Sequence, residues 1–319
     1  MCLYRSSPLR SLAALCLLPA LAVPACFAWG KDGHKMINHL AVTSLPASIP
    51  AFLRSPAAVD EITYLGPEPD RWRSPAEPEL EAMQAPDHYI DMELADRIAP
   101  LPRERYQYIA RLYAYIEAHP GQAKEMQPTH VGFQPYITEE VWERLKSAMR
   151  DYRQLKAAGK DTMPVQQAII FYAGWLGHYV ADGSQPLHTT IEYNGWVGPN
   201  PDHYTTSHHI HSQFESEFVH DNMTDAEVRQ YMKPVEPIGD EWTQYWAYLN
   251  TTHAKVNEVY QLWNEHGFEG KGTAASRKFT AERLAAGADE LRNLIVAAWV
   301  KSAEPVPEWH DHYDKKGKK

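Results

Sequence analysis

Cysteine is nearly absent from this 319-residue chain, and the three present, Cys2, Cys16 and Cys26, all lie at the N-terminus. Beyond Cys26 there is therefore neither a disulfide framework nor a thiolate metal site. Basic residues are also short: 31 Lys and Arg face 41 Asp and Glu, for a formal net charge of −10. That balance excludes gripping a long nucleic acid by charge alone. The one long apolar run, residues 12–25, is too short and too broken by proline to span a bilayer comfortably. Strand-like alternation is weak everywhere, and no internal repeat is present. No glycine-rich phosphate loop follows a strand. No serine or cysteine stands out as a nucleophile.

The apolar run follows Arg5 and Arg10 and precedes Cys26-Phe27-Ala28. This is the layout of a secretory signal peptide, residues 1–28, and it predicts a secreted or periplasmic protein that begins at Trp29. An uncleaved anchor or a lipoprotein acylated at Cys26 are the alternatives. Pro24 makes a poor lipobox. The expected mature domain is 29–319, with about 305–319 a disordered, lysine-rich tail.

Helical periodicity dominates what remains. Asp32 is expected to cap a helix to about Leu45. Residues 54–103 read as long and mostly irregular. Helices are expected over 104–118, from Thr138 onward, 165–182, 207–219, 225–232, 241–265 and 275–300. The 165–182 helix is apolar almost all round, which predicts burial at the centre of the domain. The fold class is all-α: a single, mostly helical domain.

Histidine is abundant, at sixteen. Without thiols, His with Asp and Glu are the zinc ligands left. The central helix carries His178 and Asp182 at i,i+4, on one face and able to share a metal. A turn at Pro186 brings His188 back near that helix end. The next helix carries His211 and Glu215, again at i,i+4. A structural His–Asp hydrogen bond is the simpler reading of one pair. Two pairs plus His188 read as ligands converging from separate elements. Upstream lie His34, His88 and Asp70, with Asp60 and Asp87 as alternatives to Asp70.

The run from Trp29 to His34, HYID at 88–91, GHYVADGSQPLH at 177–188 and HSQFE at 211–215 resemble the P1/S1 nuclease and zinc-dependent phospholipase C superfamily. The resemblance implies an all-α domain around a trinuclear zinc site, three Zn²⁺ per chain. It implies that the backbone of Trp29 and His34 hold one ion, and that Asp70, His88 and His178 hold a second. Asp182 bridges these two, and His188, His211 and Glu215 hold the third. It implies hydrolysis of a phosphoester by a zinc-bridging hydroxide, with Asp70 and Asp182 as catalytic residues. A bridged zinc pair lowers the pKa of a shared water enough for this at neutral pH.

Two substrate classes share such a site. The spacing of His34 from Trp29 and the long interval from His188 to His211 resemble the nuclease branch, whose substrates are single-stranded nucleic acid and nucleotides. Glu215 resembles the phospholipase branch, whose substrate is phospholipid. The nuclease reading is preferred. Tyr89, Asn194 and Trp196 are candidate substrate contacts, Tyr89 by stacking on a base. A core role is the alternative for Tyr89. The interval from His88 to His178 is longer than expected and reads as a helical insertion shaping the cleft. A non-catalytic periplasmic zinc-binding protein is a remote alternative, favoured only by the His208-His209-His211 run. No obligate protein partner is inferred.

Overall fold

The computed structural model describes residues 29–306. The expected signal peptide and nearly all of the expected tail lie outside the described residues. Among the described residues there are helices and two isolated bridges but no strand. The fold is all-α. No described helix is long and apolar enough to cross a membrane.

The central element is the helix Met163–Asp182. It packs against Gln134–Ala157, Pro56–Leu65, Gly30–Thr43 and Ala274–Lys301. Glycines permit the close approach. A Cβ on Gly174 would sit 2.5 Å from Leu65 Cβ, and one on Gly177 would collide with Asn38 Oδ1. Asn38 fills the space so freed. Its buried Nδ2 donates to Ile62 O at 2.8 Å and Gly174 O at 3.1 Å. One amide thus ties three helices together and holds the helix bearing His34 against the helix bearing His178.

Several expected elements shift. Residues 54–103 are not mostly irregular. They form Pro56–Leu65, Glu68–Trp72, Pro78–Gln84 and Met92–Ala95, with a 3-10 turn at Ala85–His88 before the last and another at Asp96–Ile98 after it. Proline lies in the first turn of three of these four helices, where its fixed φ suits a helix start. Short proline-punctuated helices lack the repeat length that periodicity needs. Asp32 is not the cap of the first helix. Trp29 is, in a left-handed conformation (φ 41°), and Asp32 lies in the first turn. Thr138 is likewise inside its helix, bonded to Gln134 O. The expected 241–265 helix breaks into Glu241–His253 and Val256–Asn264.

The central helix is not buried all round. Phe171 is exposed, and Tyr172 and Trp175 are half-buried. The helix sits beneath its neighbours on the face that carries Ile169, Leu176 and Val180 and leaves an aromatic stripe at the surface.

On the C-terminal helix, Glu290 is buried, and burial pushes its carboxyl up to about 7, with Glu236 and Asp289 adding to the effect. A raised carboxylate pKa favours the folded state fully below its unfolded value of ~4.3, and that contribution is lost as pH rises through 7. Glu290→Gln is therefore expected to leave stability at pH 4 unchanged and raise it at pH 8 by up to about 3 kcal/mol. Urea unfolding at both pH values, with chelator present throughout, measures this. An equal gain at both would rule out titration as the cause.

Candidate metal centre

Three groups of side chains converge, each with ligand atoms mutually within 4.8 Å: His34, His178 and Asp182; Asp70, His88 and His178; His188, His211 and Glu215. All are buried. They come from separate elements. His34 lies one turn into the first helix, and Asp70 on the single turn Glu68–Trp72. His178 and Asp182 occupy the C-terminal end of the central helix, where the macrodipole is negative and favours a cation. His188 closes a 3-10 turn, Pro186–His188.

His211 and Glu215 lie on a helix that is broken: Ile210–Ser212, a π-turn at Gln213–Glu217, then Phe218–Asn222. Glu215 sits in the π-turn, a device that often re-aims side chains at functional sites. The i,i+4 spacing pairs Glu215 with His211, but it does not foresee the π-turn that carries Glu215.

Around Asp182 and Asp70 the distances are too long for direct hydrogen bonds and fit metal ligands, whereas the third group is closer packed. His34 Nε2 is 3.4 Å from Asp182 Oδ1, and His178 Nε2 is 3.5 Å from Asp182 Oδ2. Each oxygen of Asp182 therefore faces a different histidine, as a bridging carboxylate requires. Asp70 Oδ1 is 3.7 Å from His88 Nε2 and 3.9 Å from His178 Nε2. In the third group His188 Nε2 and His211 Nε2 are 3.1 Å apart, and Glu215 Oε2 is 3.6 and 2.8 Å from them. Donors about 2.0–2.1 Å from one tetrahedral zinc stand roughly 3.3 Å from each other.

Hydrogen bonding points the same way. The Nδ1 atoms of His88, His178, His188 and His211 each meet a backbone carbonyl, of Gln84, Gly66, His88 and Tyr193 respectively, at 2.7–2.8 Å. This fixes the tautomer and leaves Nε2 as a lone pair aimed inward. Both carboxylate oxygens of Asp70 and of Asp182, with Nε2 of His88 and His178, are buried without a hydrogen-bond partner. Uncompensated polar atoms in such density are costly. A divalent cation in each group would satisfy them.

The electrostatics agree. Burial pushes the Asp70 and Asp182 carboxyls well above the usual carboxylate range, and for Asp182 the neighbouring Asp70 adds. Burial pushes the imidazoles of His88 and His178 well below theirs, with that of His188 also lowered. Burial acts upward on Glu215 too, but His211 and His188 outweigh it and hold the carboxyl at about 2. A protein-only environment so hostile to charge is one that bound cations reverse.

Among the three carboxylates open from sequence, the structure gathers Asp70. Asp60 is exposed, and Asp87 is paired with Arg105 at 2.8 Å. Trp29 is fully buried, and its indole Nε1 donates to Ser184 Oγ at 2.7 Å, two residues beyond Asp182. Its left-handed backbone costs ~1–2 kcal/mol, strain of a kind that clusters at functional sites.

The substrate candidates divide. Tyr89 is half-buried beside His88, with its hydroxyl donating to Thr129 O at 2.6 Å. Asn194 has a buried Oδ1 without a partner, on the loop whose Tyr193 carbonyl receives His211. Trp196 packs on Tyr204 and Tyr260 at ring distances of 4.7 and 5.2 Å and donates to Pro199 O. It anchors its own loop and joins none of the three groups.

Two residues escaped the sequence reading. Arg73 Nη1 lies 3.8 Å from Asp70 Oδ1, a cation at the edge of the centre. Its i,i+3 spacing from Asp70 was the available signal. Gln185 Nε2 donates to Glu215 Oε2 at 3.1 Å while its Oε1 accepts from Leu187 N, so one amide both shapes the turn and orients the carboxylate.

The long interval before His178 buttresses the His88 segment. Phe133 N donates to Pro86 O at 2.7 Å, Gln134 N to Tyr89 O and Asp91 N to Val131 O. Arg105 grips Asp87 from the same side and stacks on Phe133. The interval thereby holds in place the 3-10 turn Ala85–His88 and the residues that follow it.

Comparison with known proteins adds an independent finding. A family model described as S1/P1 Nuclease matches residues 29–310. No curated protein and no solved structure gives a significant match. The family match spans nearly all of the chain beyond residue 28 and has the ligand-bearing segments within it: the chain belongs to the S1/P1 nuclease family, a phosphodiesterase family.

Proposed function

We propose that this protein is an exported zinc phosphodiesterase that cleaves single-stranded nucleic acid or nucleotide phosphoesters. The observation that carries this reading is the convergence of three buried His/carboxylate groups, two of them sharing His178, with the two oxygens of Asp182 facing different histidines. In this reading Trp29 through its backbone, with His34 and Asp182, holds one zinc. Asp70, His88 and His178, with Asp182, hold the second, and His188, His211 and Glu215 the third. Zinc at such a centre supplies positive charge for the phosphate and a nucleophile at neutral pH.

The chain's own groups do the rest. Arg73 adds a fixed cation beside the phosphate position. Asp70 and Asp182 stay ionised only while their charge is matched, so the centre is assembled by its ligands. Burial of the ligand atoms excludes bulk water and strengthens each interaction. In this reading Tyr89, half-buried beside His88, and Asn194 contact the base. Glu215 favours a second reading, a phospholipase C, because the longer carboxylate is the residue of that branch.

One side-by-side assay separates these. Zinc-loaded protein beginning at Trp29 is given single-stranded DNA, RNA, a 3′-nucleotide and phosphatidylcholine, with zinc counted by elemental analysis. The expected result is about three zinc per chain and cleavage of the nucleic acids. Turnover of phosphatidylcholine alone would replace the first reading with the second. One zinc or none would remove both.

A further inference from the structure

The aromatic stripe left exposed by the central helix adjoins the metal centre. Trp72 lies two residues after Asp70 and Trp175 three residues before His178. Their rings meet edge-to-face at 5.5 Å. Phe171 continues the stripe, 5.9 Å from both Trp175 and Tyr172. These rings are half-buried or exposed, with Phe171 at 36%. Seven residues of helix separate Phe171 from His178, a rise of about 10 Å. That is about three nucleotides at ~3.4 Å each.

Two cations interrupt the aromatics. Trp72 is flanked in the chain by Arg71 and Arg73. Arg73 reaches Asp70. Arg71 lies over the exposed ring of Tyr64 at 4.4 Å and also pairs with Glu68. The chain as a whole is acidic, at −10. A guanidinium over an exposed ring and a second one beside Asp70, next to half-buried tryptophans, match an anionic strand with stackable bases.

We propose that Trp72, Trp175 and Phe171, with Arg71, form a platform that stacks bases of a single strand two to three nucleotides from the scissile phosphate. The proposal rests on the nuclease reading above and deepens it. The platform acts on strands long enough to reach it and leaves the chemistry of short esters untouched. Substrate length, rather than overall charge, then governs affinity.

The test uses zinc-loaded protein and three substrates: bis(4-nitrophenyl) phosphate, a single-stranded dT3 and a single-stranded dT20. Binding of a labelled phosphorothioate dT20 is followed by fluorescence anisotropy. Phe171→Ala is the informative variant, because the side chain is exposed and seven residues from the nearest ligand. It is expected to raise KM for dT20, and Kd for the labelled strand, roughly fivefold or more. Turnover of bis(4-nitrophenyl) phosphate and KM for dT3 stay within twofold. Phe171→Trp restores the dT20 values, as stacking requires and a purely structural role does not.

Equal KM and Kd for dT20 in wild type and Phe171→Ala overturn the platform while leaving the nuclease reading standing. So does loss of binding to phosphatidylcholine vesicles in Phe171→Ala with dT20 unaffected, which would make the stripe a lipid contact. A wild-type protein that hydrolyses bis(4-nitrophenyl) phosphate but neither oligonucleotide overturns both the platform and the nuclease reading.

Discussion

Replacing Asp182 with Asn is expected to lower phosphodiester hydrolysis by on the order of 10³-fold or more while the protein still folds. Asp182 is completely buried, and neither of its oxygens has a hydrogen-bond partner. They face His34 and His178 at 3.4 and 3.5 Å. The carboxamide keeps the shape but removes the charge and one acceptor. It also points an amide NH2 toward the Nε2 of one of the two histidines, where a cation would otherwise sit. Zinc content should fall, and the thermal midpoint of the zinc-loaded variant should drop below that of wild type. With chelator the order should reverse, because the variant no longer has to protonate a buried carboxyl beside Asp70 at neutral pH. Elemental analysis, melting with and without chelator, and turnover of bis(4-nitrophenyl) phosphate measure the three effects. A variant that keeps its zinc and stays within tenfold of the wild-type rate would sink the bridging role.

One extra residue before Trp29 is expected to cost ~10²-fold or more in activity. Loss of a group that merely supports a metal ligand costs ~10–100-fold, and the proposed centre would lose a ligand itself. An α-amine offers a lone pair to a cation, whereas an amide nitrogen does not. Trp29 is held as a fixed point. Its ring is buried against Phe214 at 5.3 Å, its indole is bonded to Ser184, and its left-handed backbone opens the helix that presents His34. An added residue therefore cannot be accommodated by letting the tryptophan slide. The comparison is between protein whose N-terminus is shown by sequencing to be Trp29 and protein that retains Met before it. Equal activity would remove Trp29 from the proposed metal centre.

How much of this was legible in the sequence follows from distance along the chain. The helices 104–118 and 275–300 agree with the structure to within a residue or two, because caps and a 3.6-residue period are local. The i,i+4 pairs His178–Asp182 and His211–Glu215 were legible for the same reason. Residues 54–103 were read wrongly as irregular, since four helices of ten residues or fewer leave too few turns for a period to show. The central helix was read as buried all round, since composition reports how apolar a surface is and not whether anything covers it.

The amino-acid sequence by itself determined the chemistry on offer: no thiolate beyond Cys26, a surplus of acid, and histidines and carboxylates spaced to share helix faces. Those are properties of residue types and of separations within one or two turns. Only the tertiary structure decided which of Asp60, Asp70 and Asp87 turns inward. It also decided that the interval before His178 clamps the His88 loop, that a π-turn aims Glu215, and that an aromatic stripe remains open beside the centre. Each of these is settled by contacts between residues tens to more than a hundred positions apart, which close only when the helices pack.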